Sequence, residues 1–395
     1  MRILLVHNRY QQAGGEDVVF EQERRLLESA GHNVFTYQRS NWEIAGYSRW
    51  KRPLIIGKML WARDTRHAVA GLIREKKPDV VHIHNTFLMV SPSVYTACTE
   101  ARVPIVQTLH NYRLICPGAI FYRDGAVCED CLARSPWRGV RHGCYRGSRG
   151  ATAAVALMVS VHRSLGTWSR KVRCFIAPSA FSRQKFIEAG LPAHKILVKP
   201  NFLFADPECR KGAGEYALFI GRLSPEKRVL TMLEAWKQLT VRIPLLIIGG
   251  GPQFETLRAY AKQKELLHVH FRGQLPHDEV IAALNRARFS LFTSEWYETF
   301  GMTMIEAFAC GVPVIASRLG TMQEIVSDGR TGLHFAPGEA ADLAHKVEWA
   351  WTHPDEMAAM GRAARAEYEA KYTAERNYAR LMDIYQCAID QQRAA

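Results

Sequence analysis

Two glutamates, Glu298 and Glu306, stand eight positions apart with Phe300-Gly301-Met302-Thr303 between them. If Gly301 opens a helix, the N–H groups of its first turn lack helical partners and can hold a diphosphate or a developing negative charge. Glu306 would then lie inside an otherwise apolar helix, where a buried carboxylate needs polar partners such as two ribose hydroxyls. This spacing alone usually means two solvated glutamates, but the following Cys310-Gly-Val-Pro313 favours a ligand site.

Two cations follow an apolar run that ends at Ile220-Gly221, namely Arg222 and Lys227. Arginine offers a planar fork and lysine a point charge, and both suit the neutralisation of a leaving diphosphate. A basic residue after a strand is usually only a surface residue. The presence of the glutamate motif in the same chain makes a functional role of Arg222 and Lys227 the better interpretation.

A glycine-rich turn, Gly249-Gly-Gly251-Pro252, follows another apolar run. The turn is a weak signal for a ligand site, because a tight turn needs glycine whether or not a ligand binds. The chain contains no pair of aspartates spaced as D-x-D. A metal-bridged diphosphate is therefore not indicated, and we expect catalysis without a required cofactor.

The first half offers a glycine pair, Gly14-Gly15, after its first apolar run and a histidine, His110, after the run that ends at Thr108. Glycine allows a ligand to approach the backbone closely. A lone histidine is more often structural, but one at the carboxyl end of a parallel strand stands where ligands bind. Both readings of His110 stay open at this point.

Four of the nine cysteines form a local cluster consisting of Cys116, Cys128, Cys131 and Cys144. A C-x2-C pair with two flanking thiols has the ligand count of a structural tetrahedral zinc site. An iron–sulfur cluster and four unrelated thiols are the alternatives. We predict that this segment, residues 116–144, is a zinc-ordered insertion.

The elements that position these residues alternate between strands and helices, which predicts parallel sheets in an α/β fold. The predicted strands are Arg2–His7, Val80–His84, Pro104–Thr108, Cys174–Ala177, Tyr216–Ile220, Leu245–Ile248, His268–Phe271, Ser290–Thr293 and Pro313–Ala316. A stretch rich in proline and glycine, 200–214, predicts a linker. We therefore expect two doubly wound domains, 1–205 and 206–373, facing a central cleft, and a helix over 374–395 that crosses back to the first domain.

Charge is distributed unevenly between the halves of the chain. Residues 1–200 hold 30 Lys and Arg against 14 Asp and Glu, whereas residues 201–395 hold 22 against 24. Such asymmetry suggests an anionic partner, although ordinary solubility is the alternative. Cations alternate with apolar side chains between Tyr47 and Lys77, including Trp50, Leu54, Ile55, Ile56, Met59, Leu60 and Trp61. Further cations are Arg134, Arg138, Arg141, Arg146, Arg149, Arg163, Arg170, Lys171 and Arg173.

This basic, amphipathic segment is suited to anionic lipid headgroups, so we predict peripheral contact with a membrane through the N-terminal domain. The opening residues Met1–Asn8 turn polar after one short apolar run, which fits a buried strand better than a secretory signal. We expect a cytoplasmic protein, with peripheral attachment to the inner face of the membrane.

These motifs together resemble the glycogen-synthase-like family four of retaining glycosyltransferases (glycosyl transferases group 1), which have the GT-B fold with two Rossmann-like domains. The matching residues are Gly221-Arg-Leu-x-x-x-Lys227, Gly249–Pro252, Glu298-x-Phe-Gly301, Glu306-Ala, Gly311-x-Pro313, Pro78-Asp-Val-Val-His-Ile-His84 and Thr108-Leu-His110. One departure is Thr293-Ser-Glu-Trp296, which stands where the family more often has Pro-Ser. We expect this departure to affect only the shape of that loop.

The resemblance implies a role for each matching residue. Arg222 and Lys227 would bind the donor diphosphate, Glu306 the ribose, and the backbone of Phe300–Thr303 the sugar and phosphates. Glu298 and His110 would be the catalytic residues and would contact the transferred sugar. The loop at Gly15 would lie near the leaving group and the acceptor. Gly249 and Gly251 would line the donor site.

The resemblance also implies the reaction, which is transfer from a UDP or GDP sugar to a lipid-linked or saccharide acceptor, as in bacterial surface polysaccharide or glycolipid synthesis. A nucleotide-sugar epimerase or a phosphorylase of the same fold ranks lower, because we identify no pyridoxal-phosphate lysine and epimerases lack this glutamate pair. A zinc-knuckle nucleic-acid-binding protein is the remote alternative. The basic half carries no recognition module, so no nucleic-acid partner is expected.

Overall fold

The computed structural model describes residues 1–12, 14–46 and 52–394, so Tyr47 and Trp50 of the amphipathic segment lie outside it. The strands are β1 (Arg2–Arg9), β2 (Asn33–Ser40), β3 (Val80–Ile83), β4 (Ile105–Thr108), β5 (Tyr122–Arg123), β6 (Ala126–Val127), β7 (Cys174–Ala177), β8 (Ile196–Val198), β9 (Tyr216–Ile220), β10 (Leu245–Ile248), β11 (Val269–Gly273), β12 (Ala287–Phe292), β13 (Val314–Ser317) and β14 (Gly332–Phe335).

Helices connect most of these strands. They are α1 (Gly15–Ser29), α2 (Arg52–Leu60), α3 (Arg63–Lys76), α4 (Ser93–Glu100), α5 (Arg138–His142), α6 (Arg149–Ser164), α7 (Thr167–Lys171), α8 (Ala180–Glu188), α9 (Val229–Gln238), α10 (Phe254–Gln263), α11 (His277–Arg286), α12 (Met302–Ala309), α13 (Thr321–Ile325), α14 (Ala340–Thr352), α15 (Pro354–Lys371) and α16 (Ala374–Arg393). Among the residues that the structure describes, no helix combines the length and apolar character needed to cross a bilayer.

The chain divides into two compact units. The first contains Met1–Phe121, Cys128–Phe204 and Ala374–Ala395, and the second contains Tyr122–Val127 and Ala205–Thr373. The short hairpin of β5 and β6 thus belongs to the second unit although its chain neighbours belong to the first. Helix α16 belongs to the first unit, because its buried residues Leu381, Ile384, Tyr385 and Ala388 join the core of that unit's sheet.

The first unit is built on a parallel sheet with strand order β2-β1-β3-β4-β7-β8. Strands β3, β4 and β7 are buried along their whole length, as expected for strands covered on both faces by helices. Helix α1 ends at Ser29, and Gly31 follows with a φ of 80°, the left-handed conformation that favours glycine.

The second unit repeats this architecture with strand order β11-β10-β9-β12-β13-β14, again all parallel. Its core joins apolar residues of the sheet to the inner faces of α9, α10, α14 and α15. The chain runs from β9 through β10 to β11 on one side of β9 and then crosses to β12 on its other side. The switch point between β9 and β12 is where open α/β sheets bind ligands.

The nine predicted strands are all present, and their ends lie within three residues of the predicted ends. Three strands of the two large sheets were missed, β2, β8 and β14. Strand β2 is an edge strand with the polar sequence Asn33–Ser40 and no fully buried residue, so it has no apolar run to identify it. Strand β8 has three residues, and β14 has four with a histidine among them.

Candidate functional site

The loops that follow β9, β10 and β12 carry the predicted donor-site residues of the second unit. Arg222 and Lys227 follow β9, the glycine turn follows β10, and Glu298 follows β12. These three strands are neighbours in the sheet, so the motifs meet at its carboxyl edge on both sides of the switch point. The structure therefore brings together, within one unit, residues that are distant in sequence.

Glu298 is a buried carboxylate held by several donors. It forms an ion pair with Lys227 and accepts hydrogen bonds from Ser294 Oγ (2.9 Å) and Trp296 Nε1 (2.8 Å). The Lys227 ammonium also lies 5.1 Å from the ring centroid of Phe292 and 5.6 Å from that of Trp296. The cation is thus desolvated by aromatic faces on one side and balanced by a fixed carboxylate on the other.

The departure Thr293–Trp296 does more than shape a loop, because two of its side chains donate to Glu298. The expectation of an effect on loop shape alone was wrong. The sequence contained a signal for these contacts, since serine and tryptophan are both hydrogen-bond donors and stand within four residues of the Glu298 carboxylate.

Helix α12 begins as the sequence predicted, with Gly301 as its N-cap residue. The Gly301 carbonyl accepts from Met304 (3.0 Å) and Ile305 (3.4 Å), whereas the N–H groups of Met302 and Thr303 have no acceptor among the described residues. These N–H groups and the helix dipole offer a site for an anion. The Phe300 ring is buried against Tyr372, and contact of the Phe300 backbone with a ligand stays a prediction.

Glu306 is the fifth residue of α12 and is only 8% exposed. Burial raises the pKa of this carboxyl above its ordinary value, and the nearby His277, whose Nδ1 is 3.9 Å away, opposes the rise. An ionised carboxylate at this buried position lowers the free energy of unfolding of the ligand-free protein. Such a loss of stability is expected of a residue that binds a ligand and does not stabilise the fold.

Gly249 and Gly251 have a structural reason to be glycine. A Cβ on Gly249 would lie 1.9 Å from the carbonyl oxygen of Gly221, and one on Gly251 would lie 2.4 Å from that of Leu223. The two loops also share a hydrogen bond from Leu223 N to Gly250 O of 2.9 Å. The glycine turn therefore packs directly on the loop that carries Arg222, and its contact with a donor stays a prediction. The Arg222 side chain is exposed and has no ion-pair partner among the described residues.

In the first unit, the loops after β1, β3 and β4 carry Gly15, His84 and His110 at one edge of the sheet. Nε2 of His110 lies 3.0 Å from Nδ1 of His84. Burial and the neighbouring histidines lower the pKa of His110 well below its ordinary value, so the ring is neutral at physiological pH. Gly15, which is exposed, is the first residue of α1, and the preceding Gly14 N–H donates to Asp17 Oδ2 (2.9 Å).

Sequence families match both units. The family described as Glycosyl transferases group 1 matches residues 207–367, and Glycosyltransferase Family 4 matches residues 13–204. Glycogen synthase of Mycobacterium tuberculosis is 30% identical over 327 residues, which cover 78% of this chain and 70% of that enzyme. The chain belongs to the group 1 glycosyltransferases.

Solved structures agree with the fold of this glycosyltransferase. Anabaena Alr3699/HepE, solved in complex with UDP, superposes with a TM-score of 0.70 at 18% identity, covering 97% of this chain and 99% of that one. Sucrose-phosphate synthase from Thermosynechococcus elongatus superposes with a TM-score of 0.72 at 18% identity, covering 98% of each chain. The predicted GT-B class, with two Rossmann-like parallel-sheet domains, is confirmed.

One carboxyl of the glycosyltransferase was not singled out from the sequence. Glu16, in the first turn of α1, accepts hydrogen bonds from Asn85 Nδ2 (3.0 Å) and Asn111 Nδ2 (3.1 Å) at the same sheet edge as His110. Burial, with help from the Asp17 charge, raises the pKa of Glu16 to about 8. A perturbed carboxyl beside a predicted sugar-contacting histidine is a further candidate for the acceptor side of the site.

We expect the Glu16 carboxyl to titrate near pH 8, which ¹³C NMR of carboxyl-labelled protein measures directly. Because the folded protein favours the protonated form, the free energy of unfolding falls as pH rises from 4.5 towards 8, by at most about 1.4 kcal/mol per pH unit. Glu16→Gln abolishes this slope, whereas the exposed Glu255→Gln keeps it. A Glu16 midpoint near 4.5 would contradict the assignment.

The four clustered cysteines lie in one neighbourhood of the first unit. Cys131 accepts a backbone hydrogen bond from Gly139, and burial together with Cys116, Cys144 and Cys128 raises its pKa to about 12. A Cβ on Gly139 would lie 3.6 Å from Cys144 Sγ, and one on Gly118 would lie 3.6 Å from Cys116 Sγ. The electrostatic influence of the other three cysteines on Cys131 shows that the four thiols lie near one another, and the zinc site stays a prediction.

Proposed function

We propose that this glycosyltransferase is a retaining, metal-independent enzyme that transfers a sugar from a UDP or GDP sugar to a lipid-linked or saccharide acceptor in bacterial surface polysaccharide or glycolipid synthesis. The observation that carries the proposal is the Lys227–Glu298 pair at the switch point of the second sheet, beside the open N-terminus of α12. The UDP bound to the similar Anabaena Alr3699/HepE supports a nucleotide donor.

In this proposal, charge stabilisation is the main contribution of the protein. Arg222, Lys227 and the N–H groups of Met302 and Thr303 hold the diphosphate, which takes up negative charge as its bond to the anomeric carbon breaks. These groups take the place of a metal ion. Glu306 accepts from the ribose hydroxyls, and Glu298 and His110 bind hydroxyls of the transferred sugar.

Retention follows in this proposal from attack on the same face that the diphosphate leaves. The acceptor oxygen forms its bond to the anomeric carbon, and the acceptor proton passes to the departing phosphate oxygen. No side chain is covalently modified, so positioning and desolvation supply the catalysis. Gly15 and the loop after β1 would lie near the acceptor.

Incubation with UDP, GDP and ADP sugars, with and without EDTA, tests the proposal. We expect release of nucleoside diphosphate from one donor base, unaffected by EDTA, and NMR of the product shows the same anomeric configuration as the donor. An inverted product contradicts the retaining mechanism. Loss of turnover in EDTA contradicts metal independence.

The proposed membrane contact is supported by apolar side chains exposed on the first unit. Leu54 and Ile56 of α2 and the following Trp61 are 59%, 42% and 37% exposed. Helix α2 packs against α6, which exposes Leu157 and Val161. Met59 is an exception to the predicted surface, because it is buried and belongs to the core.

The first unit also carries exposed cations in α3 and in and around α5 and α6, including Arg63, Arg134, Arg138, Arg141, Arg146 and Arg149. Exposed apolar side chains together with arginine suit a leaflet containing anionic lipid. We expect the enzyme to float with phosphatidylglycerol vesicles at low salt and to be released by high salt. Leu54→Ser with Trp61→Ser should weaken flotation, and Leu267→Ser, a 78% exposed site in the second unit, should not. Equal flotation of all three proteins would contradict the surface.

The zinc site is tested by metal analysis of the freshly purified enzyme. We expect one zinc ion per chain, lost in Cys131→Ser, and a lower melting temperature in that variant because structural zinc contributes to folding. Cys209→Ser is the matched control, since Cys209 is exposed and lies in the second unit. Absence of metal in the wild-type enzyme would contradict the prediction, and iron in place of zinc would favour the iron–sulfur alternative.

A further inference from the structure

A row of buried polar side chains leads to His110 from the interior of the first unit. Lys199 Nζ lies 2.6 Å from Glu23 Oε1, Glu23 Oε2 lies 3.4 Å from His84 Nε2, and His84 Nδ1 lies 3.0 Å from His110 Nε2. Lys199, Glu23 and His84 are at most 3% exposed. Burial of three polar side chains in a core costs desolvation free energy, so their placement there needs a reason.

The reason is not a metal ion, although Glu23, His82 and His84 present donor atoms within 4.8 Å of one another. The Lys199 ammonium already balances the Glu23 carboxylate and is itself held by Asn377 Oδ1 at 3.1 Å. A second cation beside it would meet strong repulsion in this buried setting. His82 Nδ1, moreover, lies 2.8 Å from the Tyr385 hydroxyl.

The geometry between the two histidines is that of a hydrogen bond along the ring planes. The planes differ by 18°, and the ring centroids are 5.2 Å apart, close to the largest separation that a 3.0 Å contact between ring nitrogens permits. The two nitrogens therefore point at each other. Burial lowers the pKa of both rings well below the ordinary value, so each neutral ring has one donor and one acceptor.

The carboxylate fixes which nitrogen carries the proton. Glu23 Oε2 and His84 Nε2 lie 3.4 Å apart, and neither atom forms a hydrogen bond to a described residue. The same carboxylate oxygen lies 3.5 Å from His82 Nδ1. A protonated His84 Nε2 places its N–H beside the carboxylate, whereas an unprotonated Nε2 would place a lone pair beside the lone pairs of the carboxylate. His84 Nδ1 is then an acceptor, so the proton between the two rings resides on His110 Nε2.

We propose that Glu23 and His84 are positioning residues that hold His110 in its Nε2–H tautomer, so that its Nδ1 can only accept a hydrogen bond. This inference rests on the proposed function, in which a hydroxyl of the transferred sugar donates to His110. Lys199 forms an ion pair with Glu23, and the chain Lys199, Glu23, His84 and His110 fixes the orientation of the His110 ring before the donor binds.

Histidine-selective ¹H–¹⁵N NMR of the ligand-free enzyme tests the tautomer without any reaction. We expect the Nε2–H pattern for His110 in the wild type and in His84→Asn, whose Oδ1 can replace Nδ1 as acceptor. His84→Leu should give a mixture of tautomers. An Nδ1–H pattern for His110 in the wild-type enzyme would overturn the proposal, whatever the activity of the variants.

Kinetics provide the second test. We expect His84→Leu to lower kcat about 10²-fold, with little change in the KM for the donor, and His84→Asn to retain most of the activity. In a His110→Ala background, His84→Leu should add no further loss. The control is His334→Leu, which removes a buried histidine of the second unit. A further loss in the His110→Ala background would overturn the proposal, and a fully active His110→Ala would instead overturn the proposed role of His110.

Discussion

Lys227→Met is expected to lower kcat/KM by about 10²–10³-fold, the loss typical when one group that stabilises transition-state charge is removed. The substitution keeps the aliphatic length that packs near Phe292 and Trp296 but removes the ammonium. It also removes the cation that balances buried Glu298, which would still accept hydrogen bonds from Ser294 and Trp296. Steady-state kinetics with the accepted donor sugar measures the effect.

The matched control is Lys237→Met, which makes the same change in charge at an exposed position of α9 in the same unit. Its kcat/KM should stay within about twofold of the wild type, as expected for a surface site remote from the chemistry. If Lys227→Met behaved like this control, the ammonium would not stabilise the leaving diphosphate. The Lys227–Glu298 pair would then be structural.

Glu306→Gln is expected to weaken donor binding by about 10- to 100-fold while making the ligand-free enzyme more stable. A hydrogen bond to a charged group contributes about 1.5–3 kcal/mol, which sets the loss of affinity. The stability gain follows from the raised pKa of Glu306, because folding disfavours its ionised form. The gain is therefore absent at low pH and appears as pH rises above the ordinary value of 4.5.

Calorimetric titration and thermal melts at pH 4.5 and pH 8 separate the two effects of Glu306→Gln. Glu279→Gln, at an exposed position of α11, controls for the loss of one negative charge. Weaker binding without the gain in stability would indicate that burial does not disfavour the ionised form of Glu306. Unchanged affinity for the donor would indicate that Glu306 does not bind the ribose.

Most of the fold was predictable because parallel strands buried on both faces read as continuous apolar runs. Strands β9 and β10 were predicted to the residue, since Tyr216–Ile220 and Leu245–Ile248 are such runs. Strand β2 was not predicted, because an edge strand pairs with only one neighbour and can contain polar residues such as Thr, Gln, Arg and Ser. Its position is set by its pairing with β1, and the sequence of β2 gives no sign of that pairing.

The donor site was predictable to the extent that it follows local motifs. Gly301 at the start of α12 and Glu306 inside that helix can be read from spacing alone. The contacts that hold Glu298 cannot, because Lys227 lies on another loop 71 residues away and meets it only through the strand order. The row from Lys199 to His110 spans still longer separations, since Lys199 and Glu23 are 176 positions apart.

The most direct test of the account is a thermal-shift screen of UDP, GDP and ADP, with and without EDTA, on the wild type and on Glu306→Ala. We expect one nucleotide to stabilise the wild type, with no effect of EDTA and with loss of the shift in Glu306→Ala. That result would establish the donor site and identify the base. No response of the wild-type protein to any of the three nucleotides would contradict the proposed donor site.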